Sequence, residues 1–179
     1  MKIIIGICPK YGNKESLVDD WWFDELNKFK WRAHFRKGKF YMERRESFYD
    51  ENGKYKRRTI QMHRVIMKTP DGLMCDHRFG NTLDNRESEL RNCTNQENCQ
   101  NGKLRKGTSK YKGVHLKKIK NRHVKYWNAQ IQINGKRTSL GLFPATPCGE
   151  LLAALTYDEA AIKNYGSFAN LNFKTPNAA

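Results

Sequence analysis

The stretch CDHRFGNTLDNRESELRNCTNQEN, residues 75–98, contains side chains that could hydrolyse a substrate with the help of a metal. It begins with an aspartate followed directly by a histidine, Asp76-His77. Aspartate offers the hard oxygen ligand that Mg²⁺ or Mn²⁺ prefers, and a neutral histidine is a natural general base at physiological pH. The pair predicts a metal-dependent hydrolytic site, and the alternative is an ordinary polar loop.

Three predicted elements must position this pair. GLMCDH predicts a strand that ends at Asp76-His77, RFGNTLDNR predicts a returning loop, and ELRNC predicts a second strand. Thr94 and Glu97 then fit a capping box at the start of a helix, whose first turns carry Asn98. Because adjacent strand residues point to opposite sides, the aspartate can face a metal while the histidine faces the attacking water.

The charge of the chain points to a polyanionic partner. The formal net charge is +16, and no acidic residue lies between Glu97 and Glu150. No apolar run approaches the roughly 18 residues of a membrane span, and MKIIIGICPKYG lacks the features of a signal peptide. We therefore expect a soluble, intracellular protein that binds nucleic acid and has no membrane partner. The segment without acidic residues carries Lys103, Arg105, Lys106, Lys110, Lys112, Lys117, Lys118, Lys120, Arg122, Lys125, Lys136 and Arg137.

The five cysteines carry no metal or disulfide signal. They are scattered, and none forms a CxxC pair. We expect small semi-buried thiols, with neither structural zinc nor a disulfide framework.

Composition divides the chain into two predicted domains of an α+β protein. Residues 1–100 form the first, 101–109 a basic linker, 110–173 the second and 174–179 a tail. In the first domain, KESLVDD predicts a strand, WWFDELNKF a helix capped by Asp19 or Asp20, and Lys37-Gly38-Lys39 a hairpin turn. TIQMHRVIM predicts a short half-buried helix after the turn ENGKYKRR. The apolar face of the first helix is Trp22, Leu26 and Phe29, and that of the second is Ile60, His63, Ile66 and Met67.

The second domain predicts three strands and one helix. YKGVHLKK, YWNAQIQI and KRTSLGLF predict the strands, with Asn134-Gly135 as a two-residue hairpin turn between the last two. Alternation puts Trp127, Ala129, Ile131 and Ile133 on a face toward the helix, and Asn128, Gln130 and Gln132 on a face open to base edges. Thr146 and Pro147 start the helix and Gly166 ends it. Its predicted apolar face is Leu151, Ala154, Leu155, Ala161 and Ile162.

The middle of the chain resembles the ββα-metal motif of HNH endonucleases. The matching elements are Asp76-His77, the Asp84-Asn85-Arg86 loop, Leu90-Arg91 and Asn98, and the upstream MHRVIM resembles the phage and intron-associated branch of that family. The resemblance covers most of residues 15–101. It implies that Asp76 and Asn98 bind one Mg²⁺ or Mn²⁺, that His77 activates water, and that Arg64 and Arg91 either contact phosphate or are structural. The lone histidines His34 and His63 are expected to be structural.

One position departs from the family pattern. Before Leu90 the family usually carries an asparagine that orients the histidine, and this chain has Glu89. Glu89 could accept a hydrogen bond from His77, and it would then raise the pKa of the histidine and move activity to higher pH. Asn85 is a nearby amide that could take the same role.

The last third of the chain resembles plant ethylene-response-factor DNA-binding domains over residues 109–173. The matching segments are Tyr111-Lys112-Gly113-Val114, Leu140-Gly141-Leu142-Phe143, Tyr157-Asp158-Glu159-Ala160-Ala161 and Asn172-Phe173. The resemblance implies a three-stranded antiparallel sheet on one helix, with the sheet in the major groove of duplex DNA. His115 and Ser139 replace the Arg and Trp of plant members, so the base preference does not transfer. The implied DNA-facing residues are Lys112, His115, Lys117, Gln130, Gln132, Arg137 and Ser139.

Together these features predict a metal-dependent DNA endonuclease of the homing type, which acts in the cytoplasm of a bacterial or phage-infected host. A single metal site in a monomer, without a protein partner, predicts nicking that leaves 5′-phosphate and 3′-hydroxyl ends. The first alternative is a non-catalytic DNA-binding regulator with a degenerate HNH site. The second is an RNA-binding protein, which only the charge suggests.

Overall fold

The computed structural model describes residues 1–102, 107–119 and 124–173, and over these residues the protein is α+β with ten strands and four helices. The sheets are antiparallel. The chain forms two compact units, Met1–Asn95 and Gln96–Ala179. Residues 103–106 of the predicted linker and the predicted tail 174–179 lie outside the described residues.

The first unit contains three small sheets. Strands β1 and β2 form a pair, β3-β4-β5 form a three-stranded sheet in that order, and β6 pairs with β7. Its core contains Trp31, Leu26, Met42 and Met62, each no more than 1% exposed. The elements are β1 (Lys2–Gly6), β2 (Lys14–Val18), α1 (Asp20–Leu26), β3 (Arg32–Arg36), β4 (Lys39–Tyr49), β5 (Tyr55–Gln61), α2 (Met62–Ile66), β6 (Met74–His77) and β7 (Leu90–Cys93).

Strand β2 and the β3–β4 hairpin are confirmed. Arg36 pairs with Lys39, so Lys37 and Gly38 form a two-residue turn. Both have positive φ, 49° and 81°, as a type I′ turn requires. The turn preference of these two adjacent residues therefore determined the position of the hairpin.

Three predictions in the first unit need correction. Helix α1 ends at Leu26, so Phe29 lies beyond it and is 43% exposed. Ile60 belongs to β5, because the strand continues to Gln61 before α2 begins. Asp19 precedes α1 without a side-chain cap, and its Oδ2 accepts a hydrogen bond from the backbone N–H of Glu87. Strand β1 was not predicted.

The second unit contains a three-stranded antiparallel sheet and a long helix. The sheet order is β10-β9-β8, and Ile133 pairs with Lys136 across the predicted Asn134-Gly135 turn, whose φ angles are 49° and 77°. Its elements are α3 (Asn95–Gln100), whose first residue ends the first unit, β8 (Val114–Lys118), β9 (Lys125–Ile133), β10 (Lys136–Pro144) and α4 (Pro147–Tyr165). None of the helices in the described parts of the chain has the length and apolar character of a membrane crossing.

The ends of α4 are confirmed, and its predicted apolar face is confirmed only at Ala154 and Ala161, which are buried. Thr146 Oγ1 accepts the backbone N–H of Gly149 at 3.1 Å, Pro147 starts the helix, and Gly166 follows it with φ of 53°. The buried helix residues are small apart from one tyrosine, which lets the helix backbone approach the sheet closely. They are Gly149, Ala153, Ala154, Tyr157, Asp158 and Ala161. Leu151, Leu155 and Ile162 are instead exposed, at 40%, 43% and 56%.

Gly113 is required where β8 begins. Its φ is 77°, and a Cβ at this position would lie 1.9 Å from Cδ2 of Tyr157. We expect Gly113→Ala to destabilise the second unit by about 2–5 kcal/mol, because overpacking adds to backbone strain. Amide hydrogen exchange of β8, β9 and β10 in the full chain measures this loss.

Gly135→Ala is the matched control. Gly135 also has φ of 77°, but nothing lies within 4 Å of a Cβ there. Only the backbone cost of about 1–2 kcal/mol is expected. Equal losses in both variants would contradict the packing of Gly113 against Tyr157.

Candidate functional site

Strand β6 carries the predicted Asp-His pair and is paired with β7. In their antiparallel register Asp76 faces Arg91 and His77 faces Leu90. Arg91 donates to Asp76 Oδ2 from Nε at 3.0 Å and from Nη2 at 2.9 Å. Both members of this ion pair are 9% exposed. The carboxylate is therefore held rigidly in one position on the strand.

The His77 ring is held by a buried amide. His77 Nε2 lies 3.2 Å from Asn85 Oδ1, and Asn85 Nδ2 donates to Ser16 Oγ at 2.7 Å. His77 is 5% exposed, Asn85 1% and Ser16 0%. Because the amide oxygen only accepts, the neutral ring carries its proton on Nε2 and its basic lone pair on Nδ1. Asn85 thus selects the tautomer of the histidine.

The loop between β6 and β7 reaches this position because it is anchored on β2. The backbone N–H of Leu17 donates to Leu83 O at 2.9 Å, and that of Asn85 donates to Leu17 O at 2.8 Å. Thr82 Oγ1 also donates to Phe40 O at 2.6 Å. These contacts join residues more than forty positions apart in the chain. Long-range contacts, and not local turn chemistry, place Asn85 beside the histidine.

Glu89 does not hold the ring as predicted. It lies in the short 3-10 helix Glu87–Glu89, where its carboxylate is 3.7 Å from Arg86 Nη2. The amide that orients His77 is Asn85, eight residues after the histidine. The expected rise in the pKa of His77 is also corrected, because burial lowers that pKa despite the opposing effects of Asn85 and of Asp76. The neutral base therefore persists below the usual histidine range.

A second histidine lies beside the first. The ring centroids of His63 and His77 are 5.1 Å apart. The ring centroid of Tyr41 lies 6.2 Å from that of His63 and 6.4 Å from that of His77. His63 is 5% exposed, and its Nδ1 has no hydrogen-bond partner among the described residues. Burial, together with the charges of His77 and Arg64, lowers the pKa of His63 to about 3. Helix α2 thus contributes an uncharged imidazole to the site, which the sequence indicated only as a structural residue.

The Asp76 carboxylate is one suitable ligand for a hard divalent cation. Mg²⁺ is commonly held by one or two carboxylates, with water and substrate phosphate completing its shell. Such a site needs no cluster of three His, Cys, Asp or Glu residues, and the described residues contain none. Arg91 already contacts Oδ2 of Asp76 and offsets part of its charge. Asn98, the predicted second ligand, lies on α3 in the second unit and stays a prediction.

The two arginines predicted near phosphate make internal contacts. Arg64 donates to Leu73 O at 2.8 Å and to the carbonyl oxygens of Thr69 and Pro70 at 3.5 and 3.4 Å. It therefore holds in place the segment before β6 that contains Thr69, Pro70 and Leu73. Arg91 is the buried partner of Asp76. The sequence left open whether Arg64 and Arg91 contact phosphate or are structural. These contacts support the structural role for both.

In the second unit, six of the seven predicted DNA-facing residues share one face of the sheet. The register pairs Gln130 with Ser139 and Gln132 with Arg137, and β8 places His115 beside Asn128. Lys117, two residues after His115, follows on the same face. The opposite face, with Ala129 and Ile131, packs on α4 as predicted. The residues of this polar face are His115, Lys117, Gln130, Gln132, Arg137 and Ser139.

Two residues of the predicted DNA surface are engaged internally. Asn128 is 4% exposed, and its amide lies 2.6 Å from Ser139 Oγ and 3.2 Å from His115 Nε2. It supports those two side chains and does not itself face a base. Lys112 lies before the sheet, and its Nζ donates to Gln100 O at 2.6 Å. Burial lowers the pKa of Lys112 to about 8.

We expect Asn85→Asp to move the pH dependence of the site. A carboxylate beside Nε2 favours the imidazolium, so it raises the pKa of His77 by about 1–3 units. In the wild type, the acid limb of a pH–rate profile for His77-dependent catalysis is expected below about pH 6.5, because burial lowers the pKa of His77. In the Asn85→Asp variant, this acid limb is expected to move to higher pH.

Asn81→Asp is the matched control for this change. It adds the same charge to the same loop, and its Oδ1 can still accept the backbone N–H of Leu83. Its acid limb is expected to stay near that of the wild type. An equal movement in both variants would show that loop charge, and not the hydrogen bond to His77, sets the profile.

Comparisons of the chain with protein-family models, with curated proteins and with solved structures find no match. The function of the chain is therefore inferred from its own residues. Two observations carry most weight, the buried His77–Asn85–Ser16 chain beside Asp76 and the polar sheet face of the second unit.

Proposed function

We propose that this protein is a metal-dependent DNA endonuclease, in which the first unit cuts and the second binds duplex DNA. The observation that carries this proposal is a histidine held uncharged, in one tautomer, next to a fixed carboxylate. That combination offers a base and a cation ligand on neighbouring residues of one strand. The order of β6, loop, β7 and α3 also follows the strand-loop-strand-helix order of the ββα-metal motif that the sequence resembles.

In the proposed reaction His77 takes a proton from water at Nδ1. The water oxygen forms a bond to phosphorus, the bond from phosphorus to the 3′ oxygen breaks, and the leaving oxygen takes up a proton. Asn85 keeps the proton of the neutral ring on Nε2. Asp76 would hold Mg²⁺ or Mn²⁺, whose contribution when bound is positive charge at the phosphate. The products are 5′-phosphate and 3′-hydroxyl ends.

The second unit supports the proposal by its charge and its polar face. The segment from residue 98 to residue 149 contains no acidic residue. Gln130, Gln132 and Arg137 are side chains suited to base edges or phosphates in the major groove. We propose that this face supplies affinity and register on duplex DNA. One hydrolytic site in a monomer then nicks a single strand at each event.

A plasmid assay tests the proposal. Supercoiled DNA is incubated with the protein and Mg²⁺ or Mn²⁺, with EDTA as the metal-free control. The expected result is metal-dependent conversion to nicked circles with 5′-phosphate and 3′-hydroxyl ends. No nicking of DNA that the protein demonstrably binds, at any pH or with either metal, would contradict an endonuclease.

One observation favours a second function, that of a non-catalytic DNA-binding regulator. Arg91 makes two hydrogen bonds to one oxygen of Asp76, and so competes with a cation for that carboxylate. A regulator would bind duplex DNA through the second unit and leave it uncut. The same assay separates the two functions, because binding without nicking is the result expected of the regulator.

A further inference from the structure

The β4–β5 hairpin of the first unit has two faces with different charge balance. In its register Arg45 pairs with Thr59, Ser47 with Arg57 and Tyr49 with Tyr55, so these side chains share one face. Glu46, Phe48 and their partners Arg58 and Lys56 share the other. Side-chain contacts agree with this division, since Arg57 Nε donates to Tyr55 Oη and Tyr55 Oη donates to Ser47 Oγ.

Beyond Glu43, the acidic residues of the hairpin neutralise only the second of these faces. Glu43 itself lies on the first face, where its carboxylate is 3.5 Å from His34 Nδ1 and from Arg36 Nη2 on β3. On the second face Glu46 pairs with Arg44 and Arg58, and Asp50 lies 2.8 Å from Lys56 Nζ. On the first face Arg45 and Arg57 have no carboxylate partner among the residues that the structure describes. Two exposed tyrosines accompany these arginines: Tyr49 is 72% exposed and Tyr55 48%.

The unneutralised face leads to the catalytic histidine. Tyr41 lies on the same side of β4 as Glu43, Arg45 and Tyr49, and its ring is 6.4 Å from that of His77. Tyr41 and Tyr49 are eight residues apart, which is roughly 27 Å along a strand at about 3.4 Å per residue. A duplex strand carries one phosphate per 3.4 Å of axis. The face could therefore follow roughly eight base pairs from the candidate cutting site.

We infer that this face binds the duplex DNA beside the scissile phosphate. We call it the arginine–tyrosine track and define it as Tyr41, Arg45, Tyr49, Tyr55 and Arg57. Its arginines contact phosphates, and its tyrosines contact sugars and phosphate oxygens. The inference rests on the proposed function, because it takes duplex DNA to be the substrate. It adds a DNA-binding surface on the cutting unit to the sheet face of the second unit.

Paired charge variants of the full chain test the track. Arg45→Gln with Arg57→Gln removes two cations from the track, and Lys56→Gln with Arg58→Gln removes two from the opposite face of the same hairpin. Binding to a labelled duplex is measured in EDTA across a salt series. The track variant is expected to bind at least about tenfold more weakly at low salt. Its slope of log affinity against log salt should fall by about 1.8, or 0.9 for each lost phosphate contact. The opposite-face variant should keep the wild-type slope.

The outcomes separate this inference from the proposed function. Equal slopes in the two variants would overturn the track, whether or not the wild type nicks plasmid. A track-specific loss of binding without nicking by the wild type would support the track and contradict the endonuclease. A track variant that loses affinity for duplex RNA but keeps its affinity for duplex DNA would overturn duplex DNA as the occupant.

Discussion

A His77→Ala variant is expected to lose nicking by about 10²–10⁴-fold, the usual contribution of a positioned general base. The ring is the uncharged imidazole on β6, held by Asn85 and placed next to the Asp76 carboxylate. In the proposed reaction, removing it leaves the attacking water without an acceptor for its proton, while the basic sheet face of the second unit is unchanged. The rate is measured on supercoiled plasmid with saturating Mg²⁺ or Mn²⁺.

Two measurements show that such a loss is chemical. Binding of the variant to duplex DNA in EDTA should equal that of the wild type, because His77 is buried and the proposed DNA-binding faces are intact. A thermal melt checks that the cavity left by the ring has not unfolded the first unit. Nicking by a folded His77→Ala variant at more than about a tenth of the wild-type rate would remove the histidine from the reaction.

Acidification is expected to destabilise the first unit through its buried histidines. The pKa of His63 is about 3 in the folded protein against 6.5 as its ordinary value, and burial is the main cause. Below about pH 6.5 the unfolded chain binds a proton that the folded chain does not, so the free energy of unfolding falls as pH falls. The loss from His63 is about 1.4 kcal/mol per pH unit until the folded pKa is approached. His77 contributes in the same direction.

The matched comparison is between His63→Asn and His34→Asn. His34 is exposed on β3, beside Glu43 at 3.5 Å, whereas His63 is buried. Urea unfolding between neutral and mildly acid pH should show a shallower pH dependence in the His63 variant than in the His34 variant. An unchanged slope in His63→Asn would show that folding does not lower the pKa of the buried imidazole.

Much of the local structure was predictable because its causes are local. Lys37-Gly38 and Asn134-Gly135 set hairpins through positive φ, and Thr146, Pro147 and Gly166 set the ends of α4. Period-two alternation likewise identified the buried face of β9. Such signals act between residues a few positions apart and do not depend on the remainder of the fold.

The apolar face of α4 shows where such reasoning stops. Of the predicted face, the helix buries Ala154 and Ala161 but leaves Leu151, Leu155 and Ile162 exposed. Close approach of a helix to a sheet favours small side chains, and periodicity alone does not distinguish a small contact face from a large one. Which side of α4 is buried was therefore decided by how the helix packs on its sheet.

The sequence by itself determined the residues that could do chemistry, namely the Asp76-His77 pair at a strand end and a basic, amide-bearing sheet. Only the tertiary structure decided which groups surround them. It put Asn85 instead of Glu89 at the histidine, Arg91 on the aspartate, and His63 and Tyr41 beside the ring. The physical reason is that side-chain type and spacing are local properties, whereas burial, tautomer and pKa depend on neighbours brought from distant parts of the chain.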